Sequence, residues 1–354
     1  MYYSLARLLR QMRRRRRLGV MFILSVLALS VLGNTICFYY FERVAVPSVT
    51  VGDAFWYSAV SITTIGYGDL QATTLGARMA TVIFIILTGL TAFTTAVGTL
   101  VEWVVDIREK EKLGMGTPTA RDHLLVVNFP GEERVRQIIE EFSSDEQHKG
   151  REVIVVTDQL ERLPFGMPNV SFVRGSPLER DTYTRASIEH ASQAIILSTG
   201  YSDPRSDSFV ASVAFVIESL NPNTKIVAEC LNPRHAILFS SSEHVSLVYT
   251  ISVANNLLVQ EAQDPGVTTL AQAITSNEIE GTFASTLVEL QPVNATNYDE
   301  IAKRLLDHNV NLVGIIRDGK PMLSFTGETC TVEDFLIYID SQRRSWKELS
   351  AMFS

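Results

Sequence analysis

The sequence predicts a helical membrane domain with two spans, followed by a water-soluble α/β domain of doubly wound, Rossmann-like type with a small α+β C-terminal lobe. Three observations predict it. Leu18 to Phe41 carries no charged residue over 24 positions. A second apolar stretch, Met79 to Val101, is interrupted only by Thr and Gly. From Arg108 onward, short apolar runs alternate with helix-like segments. The averages of 46% apolar and 20% charged residues hide this division of the 354-residue chain.

A helix over Leu18–Phe41 is about 36 Å long at 1.5 Å per residue. That exceeds the roughly 30 Å hydrocarbon core of a bilayer, so the segment spans with some tilt. The run Arg13–Arg17 abuts it. Arginines beside a span mark the cytoplasmic side, which places the N-terminus inside. A signal peptide would have a shorter apolar region, and Asn34–Cys37 is a poor cleavage site. The second span is expected over Leu75–Val105, where Thr hydroxyls can bond to the preceding turn. Asp106, Arg108, Glu109 and Lys110 end it. Two crossings return the chain to the cytoplasm, so the C-terminal half is expected there. The formal net charge of −8, set against the basic arm 1–17, puts the acidic excess in that half. Nucleic-acid binding by that half is therefore not expected.

Between the spans, Asp53–Ile62 reads as a short helix with Asp53 at its N-cap. It is too short to cross a bilayer and re-enters only if protein surrounds it. The pore helix is expected over 53–63. Thr63-Thr64-Ile65-Gly66-Tyr67-Gly68-Asp69 follows directly. A K⁺ filter needs successive carbonyl oxygens aimed at one axis, where they replace the ion's water shell. Gly66 and Gly68 allow the backbone angles this requires. Thr64 adds a hydroxyl at the inner end, and Tyr67 braces the loop against Trp56 or Tyr57. Thr63 and Asp69 flank the filter, 64–69. Four copies are needed to surround an ion.

These residues in this setting resemble the two-span K⁺ channel family, over roughly residues 18–110. The resemblance implies a homotetrameric pore domain, 18–107, with spans 18–41 and 75–105. It offers Gly89 as a gating hinge, against the reading of a small residue for close helix packing. Glu102, near the cytoplasmic end of the second span, would raise the cation concentration at the inner mouth, or would be an interfacial charge.

Arg108–Met115 reads as a charged connector within a linker, 108–119. Buried-strand runs follow at Leu124–Val127, Val153–Val156, Ser171–Val173, Ala194–Leu197 and Lys225–Ala228. Helices are expected at Glu132–Phe142 and Phe209–Leu220. Continuous apolar strands alternating with helices argue for a parallel sheet covered on both faces. The order, with Val170–Pro177 and Ala186–Ala191, resembles the RCK (KTN/TrkA-N) domain. The whole chain then resembles an MthK-type channel. This implies an N-lobe over 120–245 and crossover helices in 246–280, with Ser246–Glu261 linking subunits. A C-lobe over 281–345 is read from Thr286–Leu290, Val313–Arg317 and Met322–Phe325.

The dinucleotide fingerprint is broken. Its three glycine positions are Asn128, Pro130 and Glu133, and Gly131 is displaced. Glu132 and Glu133 at the helix start would repel a pyrophosphate. Asp158 and Gly175 are the candidates for an adenosine or mononucleotide ligand. For Ca²⁺, the resemblance implies carboxylates after the fourth strand and at the end of the fifth. Ser198-Thr199-Gly200 stands at the first place, and Glu229 is retained at the second. Asp203, Asp207 and Glu218 are weighed as an alternative carboxylate set. Cys37, Cys230 and Cys330 match no metal-ligand spacing and are expected as unpaired thiols. No catalytic constellation is found, so an enzyme is not expected.

The expected function is a ligand-gated, K⁺-selective channel subunit in the cell membrane, its pore gated by a self-associating RCK ring that senses a regulatory Ca²⁺ or adenine nucleotide. The alternatives are a nonselective cation channel of the same architecture and a membrane-anchored nucleotide-binding enzyme.

Overall fold

The apolar run that begins at Leu18 lies in one long helix, α1 (Tyr2–Ala45). The computed structural model describes residues 2–353 apart from 146, 243, 278–280 and 293–295, with side chains from residue 18 onward. Two units separate at Glu109/Lys110.

In the first unit, α1 runs past the expected end at Phe41. The reason is Glu42, whose buried carboxylate accepts bonds from Thr73 N (2.9 Å) and Thr74 N (3.2 Å) and from both Thr hydroxyls. The helix thereby holds the loop that starts the second span. Helix α2 (Val51–Ile62) is capped by Thr50, not by Asp53 as the sequence suggested. Asp53 is the third helical residue of a capping box: Thr50 Oγ1 accepts from Asp53 N at 3.2 Å, and the Asp53 carboxylate accepts from Thr50 N at 2.8 Å. A buried polar contact joins α2 to α1, with Asn34 Nδ2 donating to Ser58 Oγ at 2.8 Å. The Phe38 and Tyr57 rings stack beside it, 4.2 Å apart.

The second span has three sections. Helix α3 (Leu75–Ala80) leads into a π-helical segment, Thr81–Gly89, and then into α4 (Leu90–Lys112). It does not end at Val105. Most of the expected connector is the last part of α4, and only the turn at Gly114 breaks it. Gly114 has φ +64, and its carbonyl accepts from Arg174 N (2.9 Å) and Arg185 Nη1 (3.0 Å). A Cβ there would lie 2.5 Å from Arg174 N, so the turn requires glycine.

The second unit holds a six-stranded parallel sheet in the order β3-β2-β1-β4-β5-β6. Its strands are β1 (His123–Val127), β2 (Val153–Thr157), β3 (Val170–Arg174), β4 (Ala191–Ile196), β5 (Lys225–Glu229) and β6 (Val245–Val248). Helices α5 (Glu132–Ser144), α6 (Arg180–Arg185) and α7 (Ser206–Leu220) connect them. Leu125 pairs with Ile154 on one side and Ala194 on the other. Side chains on both faces are buried, as continuous apolar runs require. β6 corrects the sequence reading: Ser246–Val248 pairs with β5 and is not the start of a crossover helix. The helices α8 (Thr250–Gln263) and α9 (Val267–Thr275) begin after it.

The C-terminal lobe is an antiparallel sheet, β7-β10-β8-β9. It comprises β7 (Thr282–Leu287), β8 (Asn311–Arg317), β9 (Lys320–Met322) and β10 (Phe335–Asp340), packed on α10 (Tyr298–Asp307) and α11 (Trp346–Phe353). Two strands sit earlier than expected, because Leu290 and Leu323 are apolar but exposed and unpaired in the sheet. The lobe also extends beyond residue 345. Trp346, Leu349 and Phe353 of α11 complete its core with Tyr298, Leu305 and Leu336. Glu141 of α5 ties this lobe to the sheet domain, accepting from Asn277 N at 2.7 Å and Ser276 Oγ at 2.9 Å. Arg343 adds an ion pair to Asp145 at 2.8 Å.

Asp334 is a buried charge of the lobe. Arg317 donates to both its oxygens (3.0 and 2.9 Å), and Tyr298 and Thr331 add hydroxyl bonds. Burial pushes this carboxyl up, but those bonds outweigh it and hold it at about 2. Its unfolded value is about 3.9. A carboxyl depressed in the folded state stabilises above the unfolded value and loses that contribution as pH falls through the folded one. The expected loss is about 2.5 kcal/mol between roughly pH 4 and pH 2. Denaturation of the protein and of Asp334→Asn across this range tests it. Parallel pH slopes in the two proteins would remove Asp334 as the cause.

Candidate functional site

Thr63 closes α2, its hydroxyl bonded to the Ala59 and Val60 carbonyls at 3.1 Å. Thr64 (φ +61), Gly66 (φ +57) and Gly68 (φ +78) are left-handed, whereas Ile65 and Tyr67 between them are not. Alternation of hand along a strand turns successive carbonyls to one side, the arrangement a ring of ion ligands needs. The two glycines adopt it at little steric cost. Thr64 does not, and a left-handed residue with a Cβ costs roughly 1–2 kcal/mol. Sequence reasoning missed that strain, because threonine gives no local signal for it.

Tyr67 stacks on Trp56 with ring centres 5.9 Å apart and planes 2° apart. Trp56 Nε1 donates to Asp69 Oδ2 at 2.8 Å. Tyr57, the other expected brace, instead stacks on Phe38 and shares a hydroxyl contact of 3.3 Å with Thr81. Gly89 ends the π-helical segment in a crowded place: a Cβ would lie 2.6 Å from Ile62 Cδ1 and from Ser30 Oγ. That favours the packing reading of this glycine. Glu102 is exposed on α4.

The strand order reverses between β1 and β4, the place where doubly wound sheets bind ligands at the carboxyl ends of their strands. Asn128 takes the left-handed position (φ +81) and its Nδ2 donates to Leu197 O at 3.0 Å. Arg134, from the first turns of α5, reaches the same region. It pairs with Glu229 at 2.6 Å, and its guanidinium lies over the Tyr201 ring. Glu229 also accepts from Ser198 N (2.8 Å) and Thr250 Oγ1 (2.6 Å). Burial pushes the Glu229 carboxyl up, but the bonds from Arg134, Thr250 and Ser198 hold it below the ordinary range. Glu229, expected as a Ca²⁺ ligand, therefore already has three donors, one of them a cation. Arg134 carried no signal in the sequence, since one arginine on a polar helix face looks solvated.

Asp203, Asp207 and Glu218 do not converge. Asp203 accepts from Thr199 and Arg205 N, and Asp207 from the amides of Leu231 and Asn232 and from His235 Nδ1. Glu218 accepts from His244 N. Among the described residues no group of three or more His, Cys, Asp or Glu could hold a metal ion. Asp158 and Gly175 are brought close, at the ends of β2 and β3, where Gly175 N bonds Thr157 O at 3.1 Å. Asp158 is exposed. A Cβ at Gly175 would collide with Thr182 of α6, which accounts for this glycine by packing.

Two families match the chain. Residues 22–106 match an ion channel family, and residues 119–228 match the calcium-activated potassium channel slowpoke-like RCK domain. Together these matches are those of a two-span potassium channel with an RCK domain. The channel is 25% identical over 280 residues to the Bacillus subtilis (strain 168) protein described as "Putative potassium channel protein YugO", covering 78% of this chain and 82% of that one. It is 25% identical over 226 residues to the calcium-gated potassium channel TvoK of Thermoplasma volcanium, covering 61% of each. Among solved structures, the GsuK channel bound to NAD aligns with a TM-score of 0.48 at 18% identity, over 96% of this chain and 59% of that one. The channel thus spans less than two-thirds of TvoK and of GsuK.

The Trp56–Asp69 bond ties α2 to the residue that follows Gly68. Trp56→Phe keeps the ring and removes the donor. For this exposed pair the loss is about 1 kcal/mol, or roughly fivefold in an equilibrium. Single-channel conducting dwell times should shorten by about that factor. Unchanged dwell times would rule out the bond as a brace.

Proposed function

We propose that the chain is one subunit of a homotetrameric, ligand-gated, K⁺-selective channel of the cell membrane. The carrying observation is the alternation of backbone hand at Thr64, Gly66 and Gly68, directly after a capped short helix between two apolar helices. Thr64, Ile65, Gly66, Tyr67 and Gly68 supply the filter, with Thr63 and Asp69 at its ends. This geometry supports a tetramer, because one such segment supplies one side of a coordination shell and K⁺ needs all sides. A space of about 440 Å³ bordered by Tyr57, Tyr67, Asp69, Arg78 and Val82 is where a neighbouring subunit would pack. The N-terminus and the RCK domain are cytoplasmic, by the position of Arg13–Arg17 and the two crossings.

The RCK domains assemble into a ring, and α4 carries their movement to the pore. A ligand shifts the pore only by its differential affinity for the two ring shapes. The ring senses Ca²⁺ or an adenine nucleotide. TvoK is calcium-gated, whereas the Arg134-bound Glu229 of this chain leaves the Ca²⁺ site to other residues. Glu102 gathers cations at the inner mouth, and the chain performs no enzymatic step.

K⁺ flux from liposomes holding the purified protein tests this, titrated with Ca²⁺ and with adenine nucleotides on the cytoplasmic face. K⁺-selective flux that responds to either is the expected result, with a nucleotide response mapping to Asp158 and Gly175. Equal K⁺ and Na⁺ permeability would refute selectivity, and absence of flux under every condition would refute the channel reading.

A further inference from the structure

The threonine hydroxyls of the second span record its register. Thr81 donates to Ala77 O at 2.9 Å, four residues back. Thr88 donates to Ile83 O at 3.0 Å, five residues back, and Leu90 N reaches Ile85 O, also five back. From Thr91 on the step is four again: Thr91 to Leu87 O (3.2 Å), Thr95 to Thr91 O (2.7 Å) and Thr99 to Thr95 O (2.8 Å). Thr81–Gly89 is thus a widened segment inserted in an otherwise α-helical span. Such segments are rare and concentrate at functional places.

One side chain of α1 engages it. The Ser30 hydroxyl, 2% exposed, donates to the Phe84 carbonyl in the middle of the segment. The two helices meet there through glycines. A Cβ at Gly33 would lie 2.6 Å from the Phe84 ring, and one at Gly89 would lie 2.6 Å from Ser30 Oγ. Away from water, no solvent competes for that carbonyl. Returned to the α register, the Phe84 carbonyl would take the Thr88 amide four residues on. The helix below would then turn by at least one position, about 100°.

We propose that Ser30 is a positioning residue that holds the second span in its wide-turn register, and that this register selects which face of α4 meets the aqueous pathway. In the present register Thr91, Thr95, Thr99 and Glu102 form one polar stripe, by their spacing of four, four and three. Relaxation of the wide segment swings the stripe aside and presents its neighbours. The inference rests on the pore reading above.

Cysteine substitution along residues 76–102 tests it in the full-length channel, with Cys37, Cys230 and Cys330 replaced by alanine. The readout is the rate of modification by a methanethiosulfonate reagent applied from the cytoplasmic side. With Ser30 in place, fast positions should fall at 91, 95, 99 and 102, out of phase by at least one residue with those before Thr81. Ser30→Ala should move the fast positions by at least one residue, and Ser30→Thr should leave them in place. One unbroken period of 3.6 residues from 76 to 102 with Ser30 present overturns the proposal, even if Ser30→Ala fails to assemble. An accessible stripe with unchanged phase overturns the Ser30 assignment alone, whereas no accessible position together with no K⁺ flux overturns the pore reading as well.

Discussion

The absence of water around a backbone buried in lipid or in protein is the constraint on which the membrane unit depends. Each polar group there must find its partner within the chain. Glu42 meets the demand for the loop before α3, where Thr73 and Thr74 would otherwise leave amides unbonded. Thr50 and Asp53 meet it at the start of α2. Ser58 and Asn34 meet it where α2 crosses α1. The segment Thr64–Gly68 stands apart, since its alternating backbone hand at Thr64, Gly66 and Gly68 suits carbonyls that face an ion rather than a partner in the chain, as the proposed filter requires. The same segment that helps define the fold is therefore left chemically incomplete by one chain.

The soluble unit obeys a different economy. Its parallel sheet buries both faces, so strand runs such as Leu124–Val127 and Val153–Val156 have no polar side to interrupt them. The β1/β4 reversal keeps the strand order that frames a ligand cleft in such sheets, and an ion pair stands beside it. Arg134 and Glu229 are in direct contact, with Glu229 buried and Arg134 partly exposed, and breaking the pair would leave a buried charge without its cation. The pair joins α5 to the end of β5, and Thr250 connects it to the start of α8. A ligand entering the cleft would have to displace or extend this network, which gives it a direct hold on three elements.

Much of this was legible in the sequence. The two spans, the Thr64–Gly68 strand, the doubly wound sheet and its helices follow from charge-free runs, glycine spacing and apolar periodicity. Three kinds of feature were not. β6 (Val245–Val248) is an edge strand of four residues, too short for its sequence to be told from the start of the helix that follows it. The α2 cap was misplaced by three residues, because Thr50 and Asp53 are both good caps and only the reciprocal bonds distinguish them. Tyr57 is expected as a brace from its residue type, and Glu229 as a Ca²⁺ ligand from the family resemblance. Neighbours distant in sequence, Phe38 in one case and Arg134 in the other, had already engaged them. The π-helical segment leaves no compositional mark at all, since its residues are ordinary membrane-helix residues and only a contact 54 positions away engages its carbonyl.

The clamp at Gly114 has a mechanical consequence. Helix α4 is continuous to Lys112, and the carbonyl of Gly114 is already fixed by Arg174 and Arg185. The two residue steps from Lys112 to Gly114 span at most about 7 Å when fully extended, so the connection is short. A floppy tether would filter out small displacements of the sensor and pass only large ones. This short linkage passes small ones too, thermal jitter included. Quiet behaviour of the pore then depends on the stiffness of the sensor itself, and a six-stranded sheet buried on both faces is a suitable anchor for so unforgiving a lever.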